Sequence, residues 1–446
     1  MSPERLTAAE AEAGQRRMAG SLAARGLGPG DRLALLLPSS AGLLVTALGA
    51  ARVGVVPVVL DPALPPAERR ARLDDVEPAL VVDGEEGLAA LLAGPPADLA
   101  PVPLARPMHY TSGTGGRPKG VWSGVLLEAD ARALADDEAA VWGFAPDDVH
   151  LVCAPLHHSA PLRFALATLL AGGDVVVVER FDPAAVAIAI ARHSPTTSFL
   201  TPTHLQRLLA HPGGLPPLSS FRLLAHAGAP CPPVVKRAAL VAWPQGTVWE
   251  FYGATEGQFT VCPPALWEER PGTVGRARPG RRLEVDGDGL VWCHAPPFAR
   301  FAYWRDADKT AAAWRGDAFT AGDLGRLDPD GCLFLDARVD DLVISGGVNV
   351  YPAEVEAVLA EAPSVGEVAV FGVPDDQWGQ RVCAAVVAAP GESVDPDALI
   401  AWARPRLTAA QRPKHVSVVA ELPRTPTGKV QRGALANVLG LGEPPR

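Results

Sequence analysis

Residues 110–120 read YTSGTGGRPKG, a run of hydroxyl side chains, glycines and basic residues between apolar segments. Glycine has no Cβ, so backbone N–H groups here can turn toward an anion; the hydroxyls of Thr111, Ser112 and Thr114 add donors, and Lys119 adds positive charge. A Walker P-loop is excluded, because Pro118 stands where that motif needs glycine. A cradle for a polyphosphate and an ordinary solvated loop both fit this composition.

Further motifs follow this segment along the chain. They are YGATE at 252–256, TAGD at 320–323, RVDD at 338–341 leading into ISGGVNVYP at 344–352, and PRTPTGK at 423–429. Together with residues 110–120 they resemble, in order and spacing, the motifs of the adenylate-forming superfamily of acyl-CoA synthetases, luciferases and peptide-synthetase adenylation domains. The resemblance runs from about residue 6 to residue 431. It departs at Gly115 and Ala321, where the family has threonine.

Composition limits the classes of protein that this chain can be. At 446 residues it is too long for a single core, which predicts two domains. A net charge of −10 argues against a nucleic-acid partner held by a general basic field. The six cysteines are scattered without metal-ligand spacing, and no apolar run suits a signal peptide or a membrane span. We therefore expect a cytoplasmic protein with no nucleic-acid partner and no integral membrane segment.

Short apolar runs alternate with amphipathic or alanine-rich stretches, which predicts an α/β fold whose parallel-rich sheets are covered by helices. Strands are expected near residues 33–37, 55–60, 80–82, 149–154, 175–178, 198–201 and 248–251, and helices near 8–25, 42–53, 126–142 and 183–193. A charged connection at 336–342 precedes a compact α+β pattern. We predict an N-terminal domain at residues 1–338 and a C-terminal domain at 339–446. By resemblance, the smaller domain is mobile and hinges at Asp340.

The resemblance also implies the residues that bind ATP. Its β- and γ-phosphates would lie on the loop that contains Thr111, Ser112, Gly113, Thr114, Gly116 and Lys119. Tyr252 with Gly253 would line one face of the adenine, and Gly228, Ala229 and Pro230 the other. Asp323 would accept both ribose hydroxyls, which suits a carboxylate with two oxygens, and Arg338 would contact the ribose. For each side chain the alternative is a packing or surface role.

The catalytic groups follow from the same resemblance. Thr255 would contact the α-phosphate, and Glu256 would bind Mg²⁺, a hard cation that prefers oxygen ligands. Lys429 would be the catalytic lysine, carried by the smaller domain. His158 would gate the tunnel for the pantetheine arm of coenzyme A, and Gly347 would let the backbone approach that arm. A core histidine is the alternative for His158.

The expected reaction is ATP-dependent ligation of a small-molecule carboxylic acid to coenzyme A through acyl-AMP, with ATP, Mg²⁺ and CoA required. The run at 345–356 resembles acyl-CoA synthetases, and HAGAPCPPVVKRA at 226–238 with RPGTVGR at 270–276 resembles the fatty-acyl and bile-acid CoA ligase branch. We expect a hydrophobic monocarboxylic acid, because the pocket residues Ala160, Leu162, Phe164 and Ala227 are small or apolar and offer no cation for a second carboxylate. Arg163 weakens this inference, since the sequence does not set the direction of its side chain. The alternatives are an AMP ligase that loads an acyl carrier protein and a non-catalytic nucleotide-binding homologue.

Overall fold

The computed structural model of this chain describes residues 3–111, 119–424 and 430–441. The chain divides into two compact units, one formed by Met1–Glu284 with Trp292–Ala321 and the other by Val285–Val291 with Gly322–Arg446. The main boundary between the two units lies between Ala321 and Gly322. The predicted boundary at residues 338 and 339 concerns a hinge for motion, and it stays a prediction.

The larger unit alternates strands and helices along most of its length. Its strands are β1 (Glu4–Leu6), β2 (Arg32–Leu36), β3 (Val56–Val59), β4 (Leu80–Asp83), β5 (His109–Thr111), β6 (Lys119–Trp122), β7 (Val149–Val152), β8 (Asp174–Val177), β9 (Thr197–Leu200), β10 (Leu223–His226), β11 (Val248–Glu250), β12 (Thr260–Val261), β13 (Arg276–Ala277), β14 (Arg282–Val285), β15 (Val291–His294), β16 (Ala302–Tyr303), β17 (Trp314–Arg315) and β18 (Ala318–Phe319). Its helices are α1 (Ala8–Ala24), α2 (Ala41–Arg52), α3 (Pro66–Val76), α4 (Glu85–Leu92), α5 (Glu128–Trp142), α6 (Ser159–Leu170), α7 (Pro183–His193), α8 (Pro202–Leu209), α9 (Pro233–Ala242), α10 (Pro264–Glu269) and α11 (Ala307–Ala313), with a 3₁₀ turn at Pro297–Ala299.

Two parallel sheets organise this unit. Strands β8, β7, β9, β10 and β11 lie parallel in that order, and β1 pairs antiparallel with β8 at the edge. A second sheet has the order β3-β2-β4, also parallel. Parallel strands need crossover connections, which the intervening helices supply. The predicted α/β architecture is therefore confirmed.

The larger sheet is covered on both faces. Val175 and Val177 of β8 pack in one core cluster with α1, α2 and α6, whereas Val176 and Val178 pack in another with α7, α8 and α9. Successive side chains of a strand point to opposite faces, so a continuous valine run is what a strand buried on both sides requires. This explains why the sequence at β8 shows no polar alternation.

The smaller unit is an α+β fold with its own core. Its elements are β19 (Asp323–Leu327), β20 (Leu333–Arg338), a 3₁₀ turn (Val339–Asp341), β21 (Val343–Ser345), β22 (Val348–Val350), α12 (Pro352–Leu359), β23 (Val365–Asp375), β24 (Gly379–Ala388), α13 (Pro396–Ala403), β25 (His415–Val418) and α14 (Arg432–Val438). Strands β19 and β20 form a hairpin, and β21–β25 form a sheet in which β24 is central. The predicted small α+β domain is confirmed.

Candidate active site

The glycine-rich segment is framed by a β-hairpin. Strands β5 and β6 are antiparallel, with Tyr110 opposite Gly120 and Thr111 opposite Lys119. Thr111 and Lys119, both half-buried, therefore stand side by side where the segment leaves and rejoins the sheet. The other residues expected to hold phosphate lie outside the described residues, namely Ser112, Gly113, Thr114 and Gly116.

The hairpin is anchored from two sides. The hydroxyl of Tyr110 donates to a carboxylate oxygen of Asp75 at 2.6 Å, and the indole N–H of Trp304 donates to the Asp75 carbonyl at 3.0 Å. The backbone N–H of Trp304 also donates to the carbonyl of Gly120 at 2.7 Å. These bonds hold β5 and β6 on α3 and on the residue that follows β16.

The segments expected to enclose adenine follow neighbouring strands. β10 and β11 are parallel, with His226 opposite Glu250, so their carboxyl ends share one edge of the sheet. Gly228 comes two residues after β10 and Tyr252 two residues after β11. Gly228 has φ of +93°, a left-handed conformation that favours glycine. The half-buried ring of Tyr252 packs against Phe259 with centroids 4.8 Å apart. The structure thus brings these two segments together, as in open α/β folds that bind ligands at this edge.

Thr255 and Glu256 lie in a tight turn directly after Tyr252. Gly253 pairs with Gln258, and the N–H of Ala254 donates to the carbonyl of Gly257 at 2.9 Å, so residues 254–257 reverse the chain. A Cβ on Gly253 would lie 2.7 Å from that same carbonyl oxygen, so a larger residue would force the turn apart. The turn projects Thr255 and Glu256 beside the edge that carries Tyr252.

Glu256 is linked through Tyr303 to the hairpin of β5 and β6, which we call the phosphate hairpin. Tyr303 is not part of any of the sequence motifs. The Tyr303 hydroxyl donates to Oε1 of Glu256 at 2.8 Å. Tyr303 belongs to β16, which pairs with β6 so that Tyr303 lies opposite Val121. Glu256 is nearly buried at 9% exposed, and among the described residues its carboxylate is held by a neutral donor and by no cation. The Tyr303 hydroxyl therefore orients this carboxylate beside the hairpin of β5 and β6.

The donor set suits Mg²⁺ bound partly by substrate. Magnesium typically takes one or two carboxylates and completes its shell with water and phosphate oxygens. Glu256 supplies one such carboxylate near the loop frame. Across the described parts of the chain, no three His, Cys, Asp or Glu side chains gather as a metal cage. The residues therefore fit a magnesium ion that arrives with a nucleotide.

His158 follows β7 and is the residue immediately before α6. Its Nε2 atom is buried and finds no hydrogen-bond partner among the residues that the structure describes. Burial, reinforced by the nearby His157, lowers the pKa of His158 to about 3, so its imidazole is neutral at physiological pH. The two rings lie 4.3 Å apart. A buried, unpartnered ring nitrogen is unusual in a structural histidine.

A buried ion pair lies beneath the adenine segments. Lys236 of α9 is completely buried, and its Nζ lies 2.6 Å from Nε2 of His226 and 3.3 Å from a carboxylate oxygen of Glu250. His226 and Glu250 are the last residues of β10 and β11. Sequence reasoning missed this group because its members are separated along the chain, and lysine is rarely fully buried.

The smaller unit holds the residues expected at the ribose. Asp323 opens β19 and lies opposite Arg338 at the end of β20. The Arg338 Nε donates to Oδ1 of Asp323 at 2.8 Å, so the two predicted ribose contacts form one ion pair. Asp323 is largely buried, whereas Arg338 is exposed to solvent over 40% of its side chain. The pair orients the carboxylate of Asp323.

Three further predicted residues belong to the smaller unit. Gly346 and Gly347 connect β21 to β22 with φ of +61° and +78°, the conformations of a two-residue hairpin turn. A Cβ at Gly347 would meet no atom within 4 Å, so the turn is open above this residue. Asp340 lies in the 3₁₀ turn that follows β20. Lys429 lies outside the described residues, between Arg424 and Val430, which are bridged to each other.

Comparison with known proteins shows which family this chain belongs to. Residues 1–104 and 106–291 match the family described as AMP-binding enzyme, and residues 354–429 match the AMP-binding enzyme C-terminal domain. A feruloyl-CoA synthase from an Amycolatopsis species is 35% identical, covering 98% of this chain and 94% of that protein. A fatty acid–[acyl-carrier-protein] ligase, ScoC of Streptomyces coeruleorubidus, is 32% identical over 94% of this chain and 89% of its own.

Solved structures agree with these matches. ATP-bound MatB from Rhodopseudomonas palustris superposes with a TM-score of 0.83 at 32% identity, covering 96% of this chain and 93% of that one. At this identity the likeness extends beyond the fold to the family. Within the described ranges, no helix has both the length and the apolar character needed to cross a membrane.

Proposed function

This chain belongs to the AMP-binding enzyme family of adenylate-forming enzymes, and on that premise we propose that it is an ATP-dependent carboxylic acid–CoA ligase. In the first half-reaction a substrate carboxylate attacks the α-phosphorus of ATP, giving acyl-AMP and pyrophosphate. In the second, the thiol of coenzyme A attacks the acyl carbon, giving acyl-CoA and AMP. The first step is needed because a free carboxylate offers a thiol no adequate leaving group.

The link between Glu256 and the phosphate hairpin is the observation that carries this proposal. Tyr303 bonds to Glu256 and shares a sheet with Lys119 of β6, so the residue proposed to bind magnesium is tied to the strands that flank the proposed phosphate loop. Tyr252 stands at the start of the same turn as Glu256. Adenine, metal and phosphate sites in this order match the layout of a nucleotide.

Each predicted residue then has a task. Thr111, Lys119 and the loop between them hold the β- and γ-phosphates, and Thr255 contacts the α-phosphate. Bound Mg²⁺ would neutralise phosphate charge as pyrophosphate leaves. Lys429 supplies positive charge where the transition state gathers negative charge, a contribution that typically amounts to about 3–4 kcal/mol. Asp323 and Arg338 of the smaller unit are assigned to the ribose.

Coenzyme A is the proposed thiol acceptor. The neutral, unpartnered His158 suits a residue that moves aside for a narrow thiol arm, because its displacement breaks no hydrogen bond within the described chain. The open glycine turn at Gly347 offers backbone without side-chain obstruction. An acyl carrier protein is the second candidate acceptor, which the likeness to ScoC favours.

The acid substrate is proposed to have a short apolar body. An aromatic cluster packs next to the adenine edge, where the Phe164 ring lies 5.0 Å from that of Trp142, 5.7 Å from that of Phe199 and 6.2 Å from that of Phe251. These four rings are buried, so they close the space below Ala160 and Ala227. Leu162, predicted to line the pocket, packs instead in the core with α1 and α2, because it projects from the opposite face of α6. A long acyl chain would have to displace this cluster.

The test is a thioester assay with two acceptors. Purified protein is incubated with ATP, Mg²⁺ and a panel of short aliphatic and aromatic acids, with either free CoA or a holo acyl carrier protein, and AMP and thioester are measured. The proposal predicts carboxylate-dependent AMP release with matching acyl-CoA. Thioester only on the carrier protein would favour the second acceptor, and a complete lack of carboxylate-dependent AMP would favour a non-catalytic homologue.

A further inference from the structure

A cluster of charged side chains lies beside the aromatic cluster, and its positive charges exceed its negative ones by two. The cluster joins α5, α6, the segment before β5 and the segment after β13. Its four cations and two anions are Arg106, Arg163, Arg278, Arg281, Asp137 and Glu138. Arg278 is buried, and Arg106 and Arg163 are half-buried. Charge that is partly withdrawn from water without a counter-charge is costly, so an excess of this kind indicates a missing anion.

Two of the arginines, Arg278 and Arg281, form ion pairs with the carboxylates of the cluster. Arg278 contacts Asp137 at 2.7 Å and Glu138 at 3.1 Å, and only 3% of its side chain is exposed. Arg281 contacts Asp137 at 3.1 Å. These bonds use Oδ2 of Asp137 and Oε2 of Glu138, whereas Oε1 of Glu138 is buried without a hydrogen-bond partner among the described residues. Arg278 and Arg281 therefore have a structural role that accounts for them.

Arg106 and Arg163 are less well matched. Arg106 donates to the Ser123 hydroxyl at 3.1 Å and makes no ion pair with a carboxylate in the described parts of the chain. Burial, together with the positive charge of Arg163, lowers the pKa of Arg106 to about 10. Arg163 reaches Glu138 only at 3.4 Å, on an oxygen that Arg278 holds more closely. The surplus positive charge is thus concentrated on these two residues.

The guanidinium of Arg163 lies at the active site. It sits 5.5 Å above the ring of Phe164 and 5.4 Å above that of Phe251, and its Nη1 donates to Oε1 of Gln258 at 3.1 Å. Gln258 closes the turn that carries Glu256, and α6 begins directly after His158. Arg163 follows His158 by five positions, a rise of about 7.5 Å along the helix.

The guanidinium of Arg163 still has N–H groups that can donate hydrogen bonds to a ligand. The hydrogen bonds of Arg163 within the described chain all run from Nη1, and its Nε is buried without a partner. A quarter of the side chain is still exposed, which leaves a path for a ligand. The ring stacking and the bond to Gln258 hold the guanidinium in place, so a planar, two-pronged donor is already oriented for a carboxylate.

We propose that Arg163 binds a second carboxylate of the acid substrate, so that the protein activates one end of a short dicarboxylic acid and leaves the other end as a carboxylate on Arg163. The inference rests on the proposed ligase function and names its substrate class. It replaces the expectation of a monocarboxylic acid, which depended on a pocket without an identified cation. The aromatic rings beside Arg163 would pack on the spacer between the two carboxylates.

The test compares dicarboxylic acids with their monomethyl esters, which keep one reacting carboxylate and nearly the same shape but lose the second charge. Malonate, succinate, glutarate and the three benzenedicarboxylates are each paired with the corresponding monoester, with butanoate and benzoate as unsubstituted acids. AMP release is measured at saturating ATP and CoA. The proposal predicts that kcat/KM for the best diacid exceeds that of its monoester by about 30-fold or more.

Variants separate charge from packing. Arg163→Gln should remove most of this preference while the KM for ATP stays unchanged, and Arg163→Lys should retain part of it. Arg132→Gln, an exposed arginine on α5, serves as the matched control and should keep the preference of the wild type. If Arg163→Gln does not fold, the ratio of kcat/KM for the diacid to kcat/KM for its monoester, measured on the wild-type protein, still tests the proposal.

Two outcomes contradict the proposal and differ from each other. Efficient AMP release with monoesters or unsubstituted acids, at least equal to that with diacids, would overturn the second carboxylate and leave the ligase function intact. Absence of AMP release with every acid on a wide panel would overturn the ligase function, and the inference with it.

Discussion

Replacing Lys236 by methionine tests the buried ion pair beneath the adenine segments. Methionine keeps an unbranched, mostly apolar side chain but removes the charge, which leaves Glu250 buried without its cation. Burial already raises the pKa of the Glu250 carboxyl, and Lys236 opposes that rise. Breaking a buried pair by removing one partner typically costs about 3–5 kcal/mol of unfolding free energy. We expect Lys236→Met to fall in that range in urea unfolding followed by tryptophan fluorescence.

The double variant isolates the interaction. With both charges removed in Lys236→Met/Glu250→Gln, the loss should be smaller than the sum of the two single losses by about 0.5–3 kcal/mol. Arg237→Met is the control, since Arg237 is the exposed neighbour of Lys236 on α9 and its replacement should change stability by no more than about 0.5 kcal/mol. A loss below about 1 kcal/mol for Lys236→Met, or strict additivity in the double variant, would refute the reasoning.

Four further predictions concern the pH dependence of stability and the two half-reactions. Burial lowers the pKa of His150 to about 3, so just below its ordinary pKa only the unfolded chain takes up this proton. Stability should fall from pH 7.5 to 5.5, with His150 contributing about 1 kcal/mol beside other buried histidines such as His109 and His204. His150→Gln should make the fall smaller by that amount in urea titrations at both pH values. Tyr303→Phe should raise the Mg²⁺ concentration needed for half-maximal AMP release, because the orientation of Glu256 is lost; an unchanged Mg²⁺ titration would count against the link. Lys429→Ala should abolish acyl-AMP formation and spare thioester formation from supplied acyl-AMP, whereas equal loss in both assays would remove its assigned role. Asp340→Pro should impair thioester formation more than pyrophosphate release, since proline stiffens the proposed hinge; equal rates to wild type in both steps would contradict it.

Local patterns in the sequence predict most of the fold because they report burial directly. The valine run at β8 and the alanine-rich α7 were both identifiable, and α7 spans Pro183–His193, the range that the pattern predicts. Helix α6 escaped prediction because its first residues offer no side-chain cap and its sequence is apolar on most sides. Strand β1 has only three residues, too few to show a period.

Some residues of the candidate site could be predicted from the sequence, and others could not. Motif residues such as Tyr252 and Glu256 could be proposed from resemblance, because the chemistry requires those residue types at fixed spacing. Tyr303 and the arginine cluster could not, since their partners come from segments far apart along the chain and only the fold brings them together. Arg163 illustrates the limit, because its presence is visible in the sequence but the direction of its guanidinium is not.

The most direct measurement of the central claim is the release of AMP and pyrophosphate by the wild-type protein with ATP, Mg²⁺ and CoA, with and without each acid of the panel. The account predicts that both products form only when a carboxylic acid is present, in amounts equal to the acyl-CoA produced. Release of ADP and phosphate in place of AMP and pyrophosphate, or no acid-dependent product at all, would contradict it.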